Sequence, residues 1–322
     1  MRSYSNQSER KEQEMIDTDT FVTVLYVLAD DFCKANLPPD IRPGPDASLS
    51  RSEVITLAVF GQWTRFESER GFYRFAQRHL RPAFPSLPHR SQLNRLTRRY
   101  REDITAFSLY FVERLQARTA LYEIIDSSGV VTRDAKRRGN GWLPGLSEIG
   151  WSNRIGWYEG MRLLCCVNPS GIITGFGFAP ANVQDRPLAE TFFALRHTPH
   201  PELQSVGRPA LCPYVADKGF AGKKCQQHWT EDYGAQVITS PRRNSKTPWP
   251  KAMRRWLASI RQIIETVYDK LHNTFRLSRE RPHHLTGLQA RLAAKIALHN
   301  FCIWLNVKLG RPRLAFAELM DW

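Results

Sequence analysis

What the 322-residue sequence lacks narrows its class quickly. No apolar run approaches the ~20 residues that span a bilayer; the longest nearly apolar stretch, residues 21–29, falls far short. The start of the chain, Met1 to Thr20, is polar and mixed in charge and reads as no secretory signal, so the cytoplasm is the expected compartment. The six cysteines (Cys33, Cys165, Cys166, Cys212, Cys225 and Cys302) include no C-x-x-C pair, which argues against zinc and against a disulfide framework. Nine histidines are scattered, and only His283 and His284 adjoin, where two neighbours cannot face one site on a helix. Buried thiols and surface imidazoles are expected. No G-x-x-x-x-G-K-[ST] loop supports an ATP-driven activity, and no His-apolar-His pair supports a tyrosine nuclease. Internal repeats and low-complexity segments are absent.

Acid is also scarce relative to base. Forty-six Lys and Arg face 31 Asp and Glu, a net charge of +15. That surplus calls for a polyanionic partner, either nucleic acid or an anionic membrane surface. With 42% hydrophobic and 24% charged residues the chain can bury real cores, and its length favours two domains.

Residues 21–118 read as helical. Phe21, Val24, Leu25, Leu28 and Phe32 recur at three- and four-residue steps. Ser50 and Glu53 make a capping box for a helix over 51–62, after a Pro/Gly/Asp loop that includes residues 42–46. Helices are expected at 71–79, from Ser91 through Tyr100, and at 104–118. The texture changes at Leu121: 121–125 is a short strand ending in a turn at Asp126 to Gly129, and 132–155 is a Gly- and Arg-rich loop. Strands are expected at 158–167, 172–178, 214–216 and 235–239, and helices at 187–195, 220–233, 253–275 and 287–307. An all-helical part, residues 1–119, thus precedes a mixed α/β layer part, residues 120–310, with a tail at 311–322.

Three acids stand where chemistry is possible. Asp126 and Asp217 each end a strand, and Glu265 lies in the apolar stripe of the 253–275 helix. An unpaired carboxylate in such company is costly to bury. If the strand ends face the helix, three carboxylates converge; oxygen ligands suit Mg²⁺, and two such ions can drive an in-line phosphodiester displacement. The plain alternative is that a strand-end Asp is a cap or turn residue. Arg261 is either an ordinary i−4 ion pair of Glu265 or a phosphate contact.

Basic residues cluster twice. Residues 70–101 hold nine Arg and no Asp, Glu or Lys, interleaved with aromatics. This is either a solvated face or a DNA surface, in which Arg90, Arg98 and Arg99 meet phosphate and Gln92, Asn94 and Arg95 read base edges from a recognition helix. Residues 242–261 carry seven Lys and Arg and no acid, and lead into the 253–275 helix where DNA would approach, with Arg254 and Arg255 as expected DNA contacts.

Five ordered blocks carry a resemblance. They are Asp126 after its strand, Gly156 to Leu163, Pro180 to Pro187, Asp217-Lys-Gly-Phe220, and Ile264-Glu-Thr-Val-Tyr-Asp-Lys-Leu271. Together, over about 121–305, they resemble the DDE transposases of bacterial insertion sequences. The resemblance implies an RNase H-like catalytic domain in which Asp126, Asp217 and Glu265 bind two Mg²⁺ ions, with Mn²⁺ as a substitute. It implies binding of an element's terminal inverted repeats, cleavage, and transfer of 3′-hydroxyl ends into target DNA by a homodimer at the bacterial nucleoid. Arg261 matches the Arg of the family's Tyr–Arg–Glu–Lys signature, but Ala258 stands in place of its Tyr and His272 in place of its Lys. The residues leave two rivals open: a nuclease of the same fold without strand transfer, and an inactive DNA-binding regulator.

Overall fold

The computed structural model of the chain describes residues 15–40, 47–137, 139, 141–198, 204–241 and 248–322. The expected loop at 42–46 lies outside them, as do Arg242, Arg243 and Lys246 of the second basic stretch.

Helices come first: α1 (Thr18–Asn36), α2 (Arg51–Phe60), α3 (Glu69–Phe75), α4 (Arg90–Arg99) and α5 (Arg101–Arg114). The capping box of α2 forms as expected, Ser50 accepting from the Glu53 N–H while the Glu53 carboxylate accepts from the Ser50 N–H. Beyond α3 the chain widens into one π-helical turn, Ala76–Leu80.

The sheet comes next, with β1 (Glu123–Asp134), β2 (Glu148–Ser152), β3 (Gly156–Val167) and β4 (Ile173–Pro180), then α6 (Asp185–His197), β5 (Tyr214–Ala216), α7 (Lys223–Tyr233) and β6 (Val237–Thr239). Last come α8 (Lys251–Asp269), a π-helical turn Lys270–Thr274, and α9 (Leu285–Lys308). β3 is antiparallel to β1, while β1, β5 and β6 run parallel, giving the order β3-β1-β5-β6. β2 and β4 share the far edge of β3, β2 along Gly156–Gly160 and β4 along Met161–Val167. The order β4-β3-β1-β5-β6 is that of an RNase H-like mixed sheet.

Two strand expectations need correcting. β1 does not turn at Asp126 but runs on to Asp134, because β3 pairs with it antiparallel from Ile124 through Asp134 and holds the polar Ser127-Ser128-Gly129 segment extended. Gly129 is required there: a Cβ would meet the Tyr158 ring at 2.6 Å. β2 lies inside the expected loop at 132–155; it is only five residues long and its apolar Ile149 and Trp151 are exposed.

Side-chain alternation divides the interior. Ile124, Cys165 and Val215 join a core formed with α5, α8 and α9, whereas Ile125, Cys166 and Tyr214 join a second core under α6 and α7. The first core runs without a break into α1–α5: Phe301 of α9 meets Phe21 and Phe111 edge-on at 5.0 and 5.9 Å. The change at 119/120 is therefore one of secondary structure, and α9 completes the helical layer. Buried Asn300 fixes it further, accepting from Ile173 N–H at 3.0 Å and donating to the Ser108 and Ile173 carbonyls. The expected tail is part of this core too. Phe316, Leu319 and Met320 are buried, Ile16 pairs with Met320, and Trp322 packs on Trp63 and Phe66.

The six cysteines are free thiols, three of them buried. His272 and His299 are buried as well, against the expectation of surface imidazoles, each with a hydrogen-bond partner. Among the described residues no helix is long and apolar enough to cross a membrane.

A fragment ending at residue 120 would expose the face of α5 that Phe301 covers. It is expected to melt without a cooperative transition in circular dichroism. A sharp transition like that of the full chain would show that the helical layer closes without α9.

Candidate functional site

Strand register brings two of the three acids together. β1 and β5 pair in parallel through Ile124↔Val215 and Ile125↔Ala216, so the next residues on each strand, Asp126 and Asp217, stand on adjacent strands about 4.8 Å apart at the backbone. Asp217 turns the chain out of β5, its carboxylate accepting from the Gly219 N–H at 2.6 Å. The cap reading thus holds for this residue, which also stands beside Asp126.

Sheet alternation aims the neighbours. Asp126 and Ser128 face α8, while Ser127 faces α6. The Asp126 carboxylate accepts from the Ser127 N–H at 2.8 Å and lies 3.6 Å from an Arg261 guanidinium nitrogen, which is also 3.7 Å from Glu265. One guanidinium on α8 thus bridges the strand acid and the helix acid. Tyr268, one turn after Glu265, clamps this helix to the sheet. Its hydroxyl lies 2.8 Å from the Asp126 carbonyl and 2.9 Å from that of Leu163, and it accepts from the Cys165 N–H at 3.1 Å.

A fourth acid belongs to the site, one to which the sequence alone assigns no role. Asp185, the first residue of α6, accepts from Ser127 Oγ at 2.5 Å and from Arg162 at 2.8 Å. A Cβ at Gly219 would stand 2.8 Å from both Asp185 Oδ2 and Asp217 Oδ1, so this glycine keeps open the gap between two carboxylates. The only sequence signal for Asp185 is its place in the block Pro180 to Pro187; its contacts come from distant strands.

Crowding shows in the electrostatics. Burial raises the Asp126 carboxyl first, the charge of Asp217 raises it further and that of Asp185 adds, while the Ser127 N–H and Arg261 oppose; the result is a pKa pushed up to about 7. This fits a place for a divalent cation, since hard oxygen donors side by side call for positive charge between them. The convergence is nonetheless partial. Glu265 is 61% exposed across Arg261, and among the described residues no three His, Cys, Asp or Glu groups stand ready to hold an ion. Arg261 supplies the positive charge between the carboxylates.

The helix neighbours of Glu265 are otherwise engaged. Asp269 pairs with Arg154 at 3.5 Å and accepts from Asn273. His272, in the signature's lysine position, is buried with Nε2 2.9 Å from Ser128 Oγ; burial first, then the Arg154 charge, lowers it to about 4. It is a neutral strut at neutral pH, so it supplies no charge for DNA.

Of the expected DNA contacts, Arg90, Gln92, Arg95 and Arg99 are exposed on α4, and Arg254 and Arg255 on the first turns of α8. Asn94 and Arg98 are half-buried, and Asn94 donates to Glu69 at 3.1 Å. Arg99 faces Asp40 at 3.9 Å.

Residues 123–301 match the family model described as a transposase DDE domain, a span that holds Asp126, Asp185, Asp217 and Glu265. This chain is similar to the solved Mos1 transposase paired-end complex with left transposon end, at 10% identity over 77% of this chain and 87% of that one, with a TM-score of 0.24. It is similar also to a pre-cleavage Mos1 transpososome, at 10% identity over 84% of each chain and a TM-score of 0.23. No curated protein matches the chain.

The raised Asp126 carboxyl predicts a stability effect of definite sign. Between the ~3.9 of a free aspartate and about 7, the folded protein holds a proton that the unfolded chain has lost, so stability falls as pH rises through this window. Asp126→Asn should raise the melting temperature in EDTA at pH 8 and have little effect below pH 4. An equal shift at both, or a loss at pH 8, would place the charge in a comfortable environment.

Proposed function

The chain belongs to the transposase DDE domain family, and we propose that it cleaves DNA phosphodiester bonds at a site built on Asp126, Asp217 and Glu265 and then joins the freed 3′-hydroxyl ends to target DNA. One observation supports the reading above the rest: the parallel register sets Asp126 and Asp217 side by side, with Arg261 and Glu265 facing them from α8.

Asp126 and Asp217 would hold divalent cations between the strand ends, with Glu265 reaching in from the helix. Mg²⁺ is the expected ion, two per site, with Mn²⁺ as its substitute; when bound, such ions activate a water and stabilise the leaving oxygen. The protein's own groups set the conditions. The Asp126 carboxyl must shed the proton it keeps below about pH 7 before its oxygens ligate. Arg261 lies in the gap between strand and helix acids, where its planar fork suits a phosphate. Tyr268 fixes the height of α8 over Asp126, and Asp185 holds Ser127 and Arg162 in place behind it.

The partners are duplex DNA, both the element's terminal inverted repeats and the target, and a second copy of the chain at the paired ends. The basic faces of α4 and of the start of α8 give such DNA its electrostatic attraction.

Nicking of a supercoiled plasmid in Mg²⁺ tests the site. Asp126→Asn, Asp217→Asn and Glu265→Gln should each lower the rate by about a hundredfold or more, and Asp269→Asn should stay near wild type because its carboxylate serves Arg154. Loss of nicking in Asp269→Asn with retention in Glu265→Gln would move the helix ligand one turn on. Joining of pre-cleaved ends to a plasmid tests the second step, and cleavage without joining would leave a nuclease.

A further inference from the structure

An open cleft of about 1090 Å³ separates α4 from the segment that leads into α9. One wall carries Arg90, Arg95 and Arg98, and the other carries Arg281, His283 and His284. Trp142, from the β1–β2 connection, closes an end by packing edge-on against His283 with ring centres 4.6 Å apart. The cleft therefore joins three parts of the fold: the helical layer, the loop after β1, and the helix behind the sheet.

Its charge is one-sided. The only acid in the lining, Glu69, is consumed by Arg291 at 2.5 Å and by the Asn94 amide at 3.1 Å. Arg90, Arg95, Arg98 and Arg281 have no carboxylate partner among the described residues. No side chain caps α9, whose 24-residue helix begins beside the cleft at His284 and Gly287, so its first N–H groups and the positive end of its dipole add to the same field. Three guanidiniums on one wall, Arg281 on the other and a helix start call for a ligand with several phosphates in a row.

We infer that this cleft seats the sugar–phosphate backbone of duplex DNA, so that one strand is gripped by α4 and by the α9 entrance together. The occupant is named as DNA on the reading given under Proposed function. The inference changes the role of α4. Asn94 is held by Glu69 and Arg98 lies inside the cleft, so the helix works as a phosphate wall that positions the duplex and not as a reader of base edges.

The test uses the full-length protein in EDTA, so that binding is read without cleavage, and fluorescence anisotropy with two short duplexes of unrelated sequence. Arg95→Ala and Arg281→Ala, exposed residues on opposite walls, should each flatten the slope of log K against log salt by about one unit. Both duplexes should weaken by the same factor. Arg114→Ala, an exposed arginine of α5 resting on Tyr110 away from the cleft, should leave the slope unchanged. An unchanged slope in both cleft variants would overturn the inference, and so would an equal loss in Arg114→Ala or a loss confined to one duplex. If wild type binds with this pattern but never nicks in Mg²⁺ or Mn²⁺, the nuclease reading fails and the cleft stands.

Discussion

Two parallel strands cannot pair through Ile125 and Ala216 without setting the next residues, Asp126 and Asp217, beside each other. Everything at the site answers that repulsion. Burial first, and that repulsion next, drive the Asp126 carboxyl up to about 7, so that at neutral pH it is shared between its neutral and ionised forms. Asp217 turns its oxygen onto the Gly219 N–H, which spreads its charge into the next turn. Arg261 comes in from α8 to stand between Asp126 and Glu265. Two carboxylates set side by side cost stability, which is the strain expected of the site proposed above.

The helix that supplies Glu265 is anchored to the sheet through one side chain in particular. Tyr268 buries its hydroxyl against two carbonyls, one of them Asp126's own. The backbone that carries the first acid is thus the backbone that anchors the helix of the third. On the other face of β1, Ser127 does the same for Asp185 at the start of α6. Sheet alternation makes both possible from consecutive residues.

Much of this is legible in the sequence, and the failures share a cause. Asp217 can be placed at a strand end because Tyr214–Ala216 is short, apolar and followed by a capping sequence, all local features. Asp126 is the right residue in a different setting: Ser127, Ser128 and Gly129 read as a turn, and only pairing with β3 keeps them extended. Asp185 escapes notice because nothing within a few residues distinguishes it from an ordinary acid in a helix's first turn. Residues 311–322 read as a tail since Arg311, Pro312 and Arg313 hide the burial of Phe316 and Leu319. Local chemistry fixes where chain segments start and stop, and partners far away in the chain decide the remainder.

The departure at His272 has a structural explanation in that same distinction. On a straight α-helix a residue seven after Glu265 lies nearly on its face, two turns further. Here α8 passes into a π-helical turn at Lys270, which adds a residue to the turn and rotates the side chains beyond it. His272 is carried inward to Ser128 of β1, where a lysine would bury its charge beside Arg154. Beside this turn, Arg154 of the β2–β3 connection meets Asp269. The position is an interior strut, and the two observations, a π-turn and a neutral buried imidazole, account for each other: the rotation puts the side chain inside, and only an uncharged donor or acceptor is tolerated there.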